Sequence, residues 1–222
     1  MKSIMVSIVL LVMFLLVGCA STNMTSFKDP DYQKANFKRI LIVANTNDLQ
    51  DRQRLESKMV EAFLEVGVYS LESFKLFPPT REFTNEEKVD LLLKNNIDAF
   101  VSISVGESGV SEVYVPQTSS TTKTTGNVNV SGNTANYRQK STTTYDGGYT
   151  LNKPWAEFET KLYDVSNGRM AWIASSFTGG NAYANRNTVM NSYCSKTVEQ
   201  LLEDNIIQEV KQSKKWSSKL NS

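Results

Sequence analysis

"WAEFETKLYDVSNGRMAWIASSF", residues 155–177, is the stretch whose reading decides the fold. Ala156, Phe158 and Leu162 alternate with Glu157, Glu159 and Lys161, the pattern of a strand with one buried and one wet face. Asn167-Gly168 is the pair preferred by a two-residue type I′ turn. After it, Met170, Trp172 and Ala174 fall on one face, Ile173 and Phe177 on the other, and Gly179-Gly180 ends the run. The segment predicts an antiparallel hairpin, and the rest of the chain must supply the layer that covers its apolar face.

Downstream, Cys194, Val198, Leu202 and Ile206 form one i, i+4 row flanked by Tyr193 and Leu201. The spacing predicts a closing helix from about Arg186 to Val210. Residues 211–222, "KQSKKWSSKLNS", read as a basic tail. Upstream, residues 117–148 are dominated by Thr, Ser, Asn and Gly, with almost no large aliphatic side chain. They read as an insertion: either a polar hairpin turning near Ser131-Gly132-Asn133, or a flexible loop.

The first half alternates strands with helices. Ile40 to Ala44 is a continuous apolar run, as in a strand buried on both faces. Asn47 or Asp48 can cap a helix from about Leu49 to Val66, with Leu55, Met59, Ala62, Phe63 and Val66 on one face and Gly67 at its end. "VYSLESF" reads as a short strand, and Pro78-Pro79 as a break. Thr84 and Glu87 make a capping box that opens a helix with Val89, Leu92 and Leu93 inward. "IDAFVSISVGES" is a further strand with Val101, Ile103 and Val105 on one face, and "VSEVYVP" carries strand character beyond it. The expected class is α/β in the α+β sense: a mixed sheet with parallel neighbours, flanked by about three helices and carrying a polar insertion.

The N-terminus gives the location. Lys2 precedes an almost purely apolar run from Ile4 to Val17, which suits a signal-peptide core and is short for a membrane-spanning helix. The run ends Leu16-Val17-Gly18-Cys19. This resembles the bacterial lipobox, which implies diacylglyceryl transfer to the Cys19 sulfur, cleavage before Cys19 and acylation of the new amino group, palmitate being a typical chain. Two or more chains anchor stably. Ala20 stands where an inner-membrane lipoprotein of this type commonly has aspartate. The resemblance therefore implies the cell outer membrane, periplasmic face. The expected organisation is a signal peptide over 1–18, a lipidated tether over 19–36, a single domain over 37–210 with its insertion at 117–148, and the tail.

A wider resemblance rests on the order lipobox, "ILIVANTNDLQDRQRLESKMVEAFLEVGV", "NIDAFVSISV", "FETKLYDVSNGRMAWIASS" and closing helix, over residues 37–210. That order is similar to small Gram-negative outer-membrane lipoproteins whose domains resemble those of the curli-secretion lipoprotein, the penicillin-binding-protein activator lipoprotein and the N-terminal domain of TolB. It implies a binding or assembly role in the cell envelope. The alternative it carries is an oligomeric secretion or pore subunit, with inserted hairpins joined across subunits. A membrane strand needs apolar side chains at every second position, and "TSSTTKTTGNVNV" and "TANYRQKSTTT" offer Thr, Asn, Lys and Arg.

Chemistry-bearing residues are few. The 222 residues contain no histidine, which excludes Ser-His-Asp and Cys-His catalysis and His-ligated zinc. Cys19 and Cys194 are too far apart for a zinc ribbon. Removing residues 1–18 takes away Lys2 and leaves 23 acidic residues balanced by as many basic ones, so no bulk field draws in nucleic acid. Glu157 and Glu159 form an i, i+2 carboxylate pair, which serves acid–base hydrolysis in some sites and a solvated strand face in many more. The helix start after Ala44 could bind an anion, although "VANTND" has no glycine and ordinary capping is the much better fit. Cys194 reads as a buried thiol or a reactive one. Lys214, Lys215, Trp216 and Lys219 could meet anionic lipid or cell wall, or fray in water. The expectation is a non-enzyme with no catalytic, cofactor or metal site. Cys19 is its lipidation site. Its partners are membrane lipid and another envelope protein, with homo-oligomerisation compatible and nucleic acid not.

Overall fold

The computed structural model describes residues 18–116, 120–131, 134–145 and 148–210. The tail residues Lys214, Lys215, Trp216 and Lys219 and nearly all of the signal segment lie outside them. Among the described residues, eight strands and four α-helices follow in chain order. The strands are β1 (Ala20–Lys28), β2 (Arg39–Asn45), β3 (Tyr69–Glu72), β4 (Ala99–Val115), β5 (Ser120–Ser131), β6 (Thr134–Tyr145), β7 (Tyr149–Asp164) and β8 (Met170–Gly180). The helices are α1 (Leu49–Glu65), α2 (Ser73–Leu76), α3 (Asn85–Lys94) and α4 (Arg186–Glu203). A six-stranded sheet has the order β1-β8-β7-β4-β2-β3, and β5 and β6 form a separate two-stranded sheet. β2 runs parallel to both β3 and β4, whereas β8 is antiparallel to β7 and β1, so the sheet is mixed as the sequence predicts.

The main core lies between this sheet and the layer of α1 and α4. Ile40, Ile42 and Ala44 from β2, Val101 and Ile103 from β4, Phe158 and Leu162 from β7 and Trp172 and Ala174 from β8 meet Leu55, Met59 and Phe63 of α1 and Tyr193, Cys194 and Val198 of α4. Leu41 points the other way and packs with Leu92 and Ile97, which explains the unbroken apolar run of β2. The helix ends follow local chemistry. Asp48 accepts from the Asp51 N–H at 2.7 Å and caps α1, and Gly67, at φ +76°, ends it with the Val68 N–H returned to the Phe63 carbonyl. The Thr84–Glu87 capping box opens α3.

Several expectations are corrected. Residues 19–36 are not a tether. Ala20 to Lys28 form edge strand β1, registered on β8 from Ala20↔Gly180 to Lys28↔Trp172, and Pro30–Tyr32 follow as a 3-10 turn. The strand is polar because its outer side meets water, while Ala20 and Met24 pack against the core. The closing helix stops at Glu203, short of Val210. Asn205 adopts φ +53°, and the Ile206 N–H returns to the Leu201 carbonyl, a left-handed stop. The 164–169 turn is not type I′. Only Gly168 has a positive φ, the Gly168 N–H donates to the Asp164 carbonyl, and the Asp164 carboxylate caps Ser166. Val89 and Leu93 stay exposed on α3, which touches the sheet through Leu92. Val105 is exposed because burial along β4 ends at Ile103.

Residues 111–152 cluster as a compact unit of their own. Within it, β5 and β6 form an antiparallel hairpin registered from Ser120↔Tyr145 to Ser131↔Thr134. Of the two readings of the insertion, the hairpin is the one observed. Its turn lies outside the described residues.

Candidate functional site

Cys19 is exposed, and the chain is held at its carbonyl and immediately after it. The Asn181 N–H donates to the Cys19 carbonyl at 2.8 Å, and Ser192 Oγ donates to the Ala20 carbonyl at 3.2 Å. Thr22 Oγ1 bonds Thr178 at 3.0 Å and Ser192 at 2.9 Å, sewing β1 to β8 and α4. At the far end of β1, the Asp204 carboxylate accepts from Ser26 Oγ and Trp172 Nε1, both at 2.6 Å, and Lys28 Nζ donates to the Asp204 carbonyl at 2.8 Å. The predicted lipidation residue therefore sits at a corner of the folded domain.

The half of the sheet made by β7, β8 and β1 has α4 on one side and, among the described residues, no helix on the other. Register sets the open side in rows: Asn23–Phe177–Glu157, Thr25–Ser175–Glu159 and Phe27–Ile173–Lys161. Phe27 is 64% exposed and Phe177 46%, large values for aromatic side chains in a strand. Trp155 stacks on Phe177 at 5.8 Å between ring centres. A broad depression of about 900 Å³ is lined by Asn23, Glu157, Ser175 and Phe177 of this face and also by Lys196 and Gln200 of α4. Its open shape suits contact with another macromolecule better than capture of a small molecule. The structure brings Glu157 and Glu159 onto this face. Glu159 is bound at 2.6 Å to Lys161, and that hydrogen bond raises the ammonium's pKa. A salt-bridged carboxylate on an open sheet lacks the flanking geometry of a hydrolytic pair.

The other candidates have structural employment. Cys194 is buried, and burial pushes its thiol pKa up, which keeps the inert thiol form. Desolvation likewise raises the phenol of Tyr193, which stacks on Phe158 and bonds Thr160. The start of α1 carries Asp48 and Asp51, the latter bridged to Arg186 at 2.9 Å, so the capping reading holds there and the local charge repels anions. Near it, the buried Glu56 accepts from the Ala44 N–H at 3.1 Å, Arg52 Nε at 3.1 Å and Ser73 Oγ at 2.7 Å, pinning α1 to β2 and α2. No group of three or more potential metal ligands occurs among the described residues.

Two features escaped the sequence reading. Phe27 and Phe177 belong to one surface only through the β1–β8 pairing. The β5–β6 hairpin places Lys123, Arg138 and Lys140 on one face, since register pairs Lys123 with Thr142, Thr125 with Lys140 and Asn127 with Arg138. Residues 116–145 contain no acidic side chain, and the three cations make no ion pair among the described residues. Charge parity along the two arms was the available signal, once a register is assumed.

The fold is a mixed α+β domain whose first strand begins directly after Cys19. The sequence matches no protein-family model and no curated protein. Among solved structures, it is similar to the PelC dodecamer from Paraburkholderia phytofirmans, at 15% identity over 84% of this chain and 99% of that one, with a TM-score of 0.46. A single-substitution form of that dodecamer gives 14% identity, 81% and 98% coverage and a TM-score of 0.47. Lipoprotein GNA1162 from Neisseria meningitidis gives 16%, 74% and 98%, and 0.39.

Proposed function

We propose that this chain is an outer-membrane lipoprotein acylated on Cys19, facing the periplasm, and that it is a non-enzymatic binding or assembly module for another protein of the cell envelope. The observation that carries the reading is the position of Cys19. It closes a four-residue lipobox and lies exposed immediately before the first strand. No helix among the described residues is long and apolar enough to cross a membrane; in this reading the anchor is the lipid on Cys19. The open face around Phe27 and Phe177 and the cationic side of the β5–β6 hairpin are the surfaces for the partner, the first for its exposed aromatic rings and the second for its one-sided positive charge.

The pore alternative draws support from hairpin length, since β5 and β6 each have 12 residues and a membrane strand needs about 9–11. Against it, the side chains described at 122–127 and 138–143 are polar and exposed on both faces, apart from Gly126. Lipid contact needs an apolar stripe. Reconstitution of the lipidated protein in planar bilayers, beside a pull-down from envelope extracts, separates the readings. Stoichiometric recovery of one envelope protein, lost when residues 117–148 are deleted, supports the module. Discrete conductance steps from a ring-shaped oligomer overturn it.

A further inference from the structure

We infer that the corner formed by Cys19, the start of β1, the 180–185 turn and the first turns of α4 is the bilayer-contacting surface of the domain, which rests flush on the lipid headgroups instead of hanging from a leash. The inference rests on the lipidation of Cys19 proposed above. Its basis is the length of free chain between the acylated residue and the fold, which is nil. Ala20 is already paired with Gly180, and the Cys19 carbonyl itself is held by the Asn181 N–H at 2.8 Å. Acyl chains on the Cys19 sulfur and amino group can enter a bilayer only if this corner approaches it within the span of a glyceryl linkage.

The chemistry of the corner fits that position. The turn Gly180-Asn181-Ala182-Tyr183-Ala184-Asn185 carries no charge, and Tyr183 is 64% exposed. Tyrosine favours the headgroup layer, where its ring meets apolar matter and its hydroxyl meets water. Cys19 also opens onto a recess of about 610 Å³ walled by Thr22, Thr188, Asn191, Ser192 and Ser195 and by the Lys196–Glu199 ion pair. Hydroxyls, an amide and an ion pair suit a glyceryl ester or headgroup and not an acyl chain, so the recess admits the polar part of the lipid while its tails leave the protein. The 164–169 turn sits at the opposite end of β8, whose 11 residues span about 35 Å, and so faces away from the membrane.

The test uses the acylated full-length protein in vesicles of phosphatidylethanolamine and phosphatidylglycerol. Acylation blocks the Cys19 sulfur and burial protects Cys194, so a cysteine introduced by Tyr183→Cys or Asn167→Cys takes a fluorophore selectively. Lipids with a headgroup nitroxide should quench most of the signal at 183 and little at 167. A flexible insert of about 15 residues between Cys19 and Ala20, with a reach of roughly 20 Å, should abolish the difference. Intact mass is recorded on every sample. Equal quenching at both sites in protein carrying acyl mass overturns the flush orientation. Absence of acyl mass overturns the anchoring proposal instead.

Discussion

The Asp204 clamp gives the sharpest stability prediction, because it joins β1, β8 and the end of α4 through one carboxylate. Asp204 Oδ2 accepts from Ser26 Oγ and from Nε1 of Trp172, which is 1% exposed. Asp204→Ala strands the indole N–H and frees the hydroxyl. Hydrogen bonds to a charged group contribute about 1.5–3 kcal/mol each, and the half-buried position of Asp204 lets water recover part of that. The expected loss is about 2–4 kcal/mol. For a domain of this size it lowers Tm by roughly 5–15 °C. Asp204→Asn keeps a neutral acceptor and should cost about 1 kcal/mol. Urea unfolding followed by circular dichroism measures both variants. Limited proteolysis should show cleavage within residues 20–28 rising in the alanine variant. A loss under about 0.5 kcal/mol for Asp204→Ala would show that β1 is not held by this clamp and would refute the reasoning.

Replacing residues 117–148 with a short Gly-Ser linker should leave a cooperative unfolding transition with Tm changed by no more than about 3 °C, since the main core draws none of the described residues from them; loss of cooperativity in calorimetry would place them in the core. On the open face, Phe27→Glu with Phe177→Glu should abolish capture of the envelope partner while circular dichroism and Tm stay near wild type; undiminished capture would move the partner surface elsewhere. Stability should fall as pH rises above about 8.5, and further above about 10. The sign follows from proton binding. The folded chain keeps the Cys194 thiol and Tyr193 phenol protons, because burial raises both pKa values, while the unfolded chain releases them. In Cys194→Ala the decline between these two values should flatten, as read by urea unfolding at each pH; an unchanged slope would contradict it.

The sequence revealed what periodicity encodes. The two-sided burial of β2, the α1 face from Leu55 to Phe63, the Thr84–Glu87 box and the β7–β8 hairpin were all legible, since each is written within one element or one turn. β1 was not legible, because "ASTNMTSFK" has no apolar alternation of its own and becomes a strand only through pairing with residues 172–180, near the other end of the chain. The end of α4 was missed because Ile206 keeps the i, i+4 spacing while Asn205 turns the backbone left-handed. The Asn167-Gly168 pair gave the hairpin but not its turn type, which Asp164 set by capping Ser166. Cys19 was legible as a motif. Its attachment to the fold, the open aromatic face and the one-sided cations of the β5–β6 hairpin all depend on strand register, which local pattern does not contain.

The account turns on Cys19, and the most direct test is intact mass spectrometry of the protein extracted from outer membranes, with Cys19→Ser alongside. The account predicts that the wild-type chain begins at Cys19 and carries diacylglyceryl and N-acyl mass, and that the serine variant accumulates as uncleaved precursor without lipid. A wild-type chain that begins elsewhere, or that begins at Cys19 without acyl mass, would contradict it.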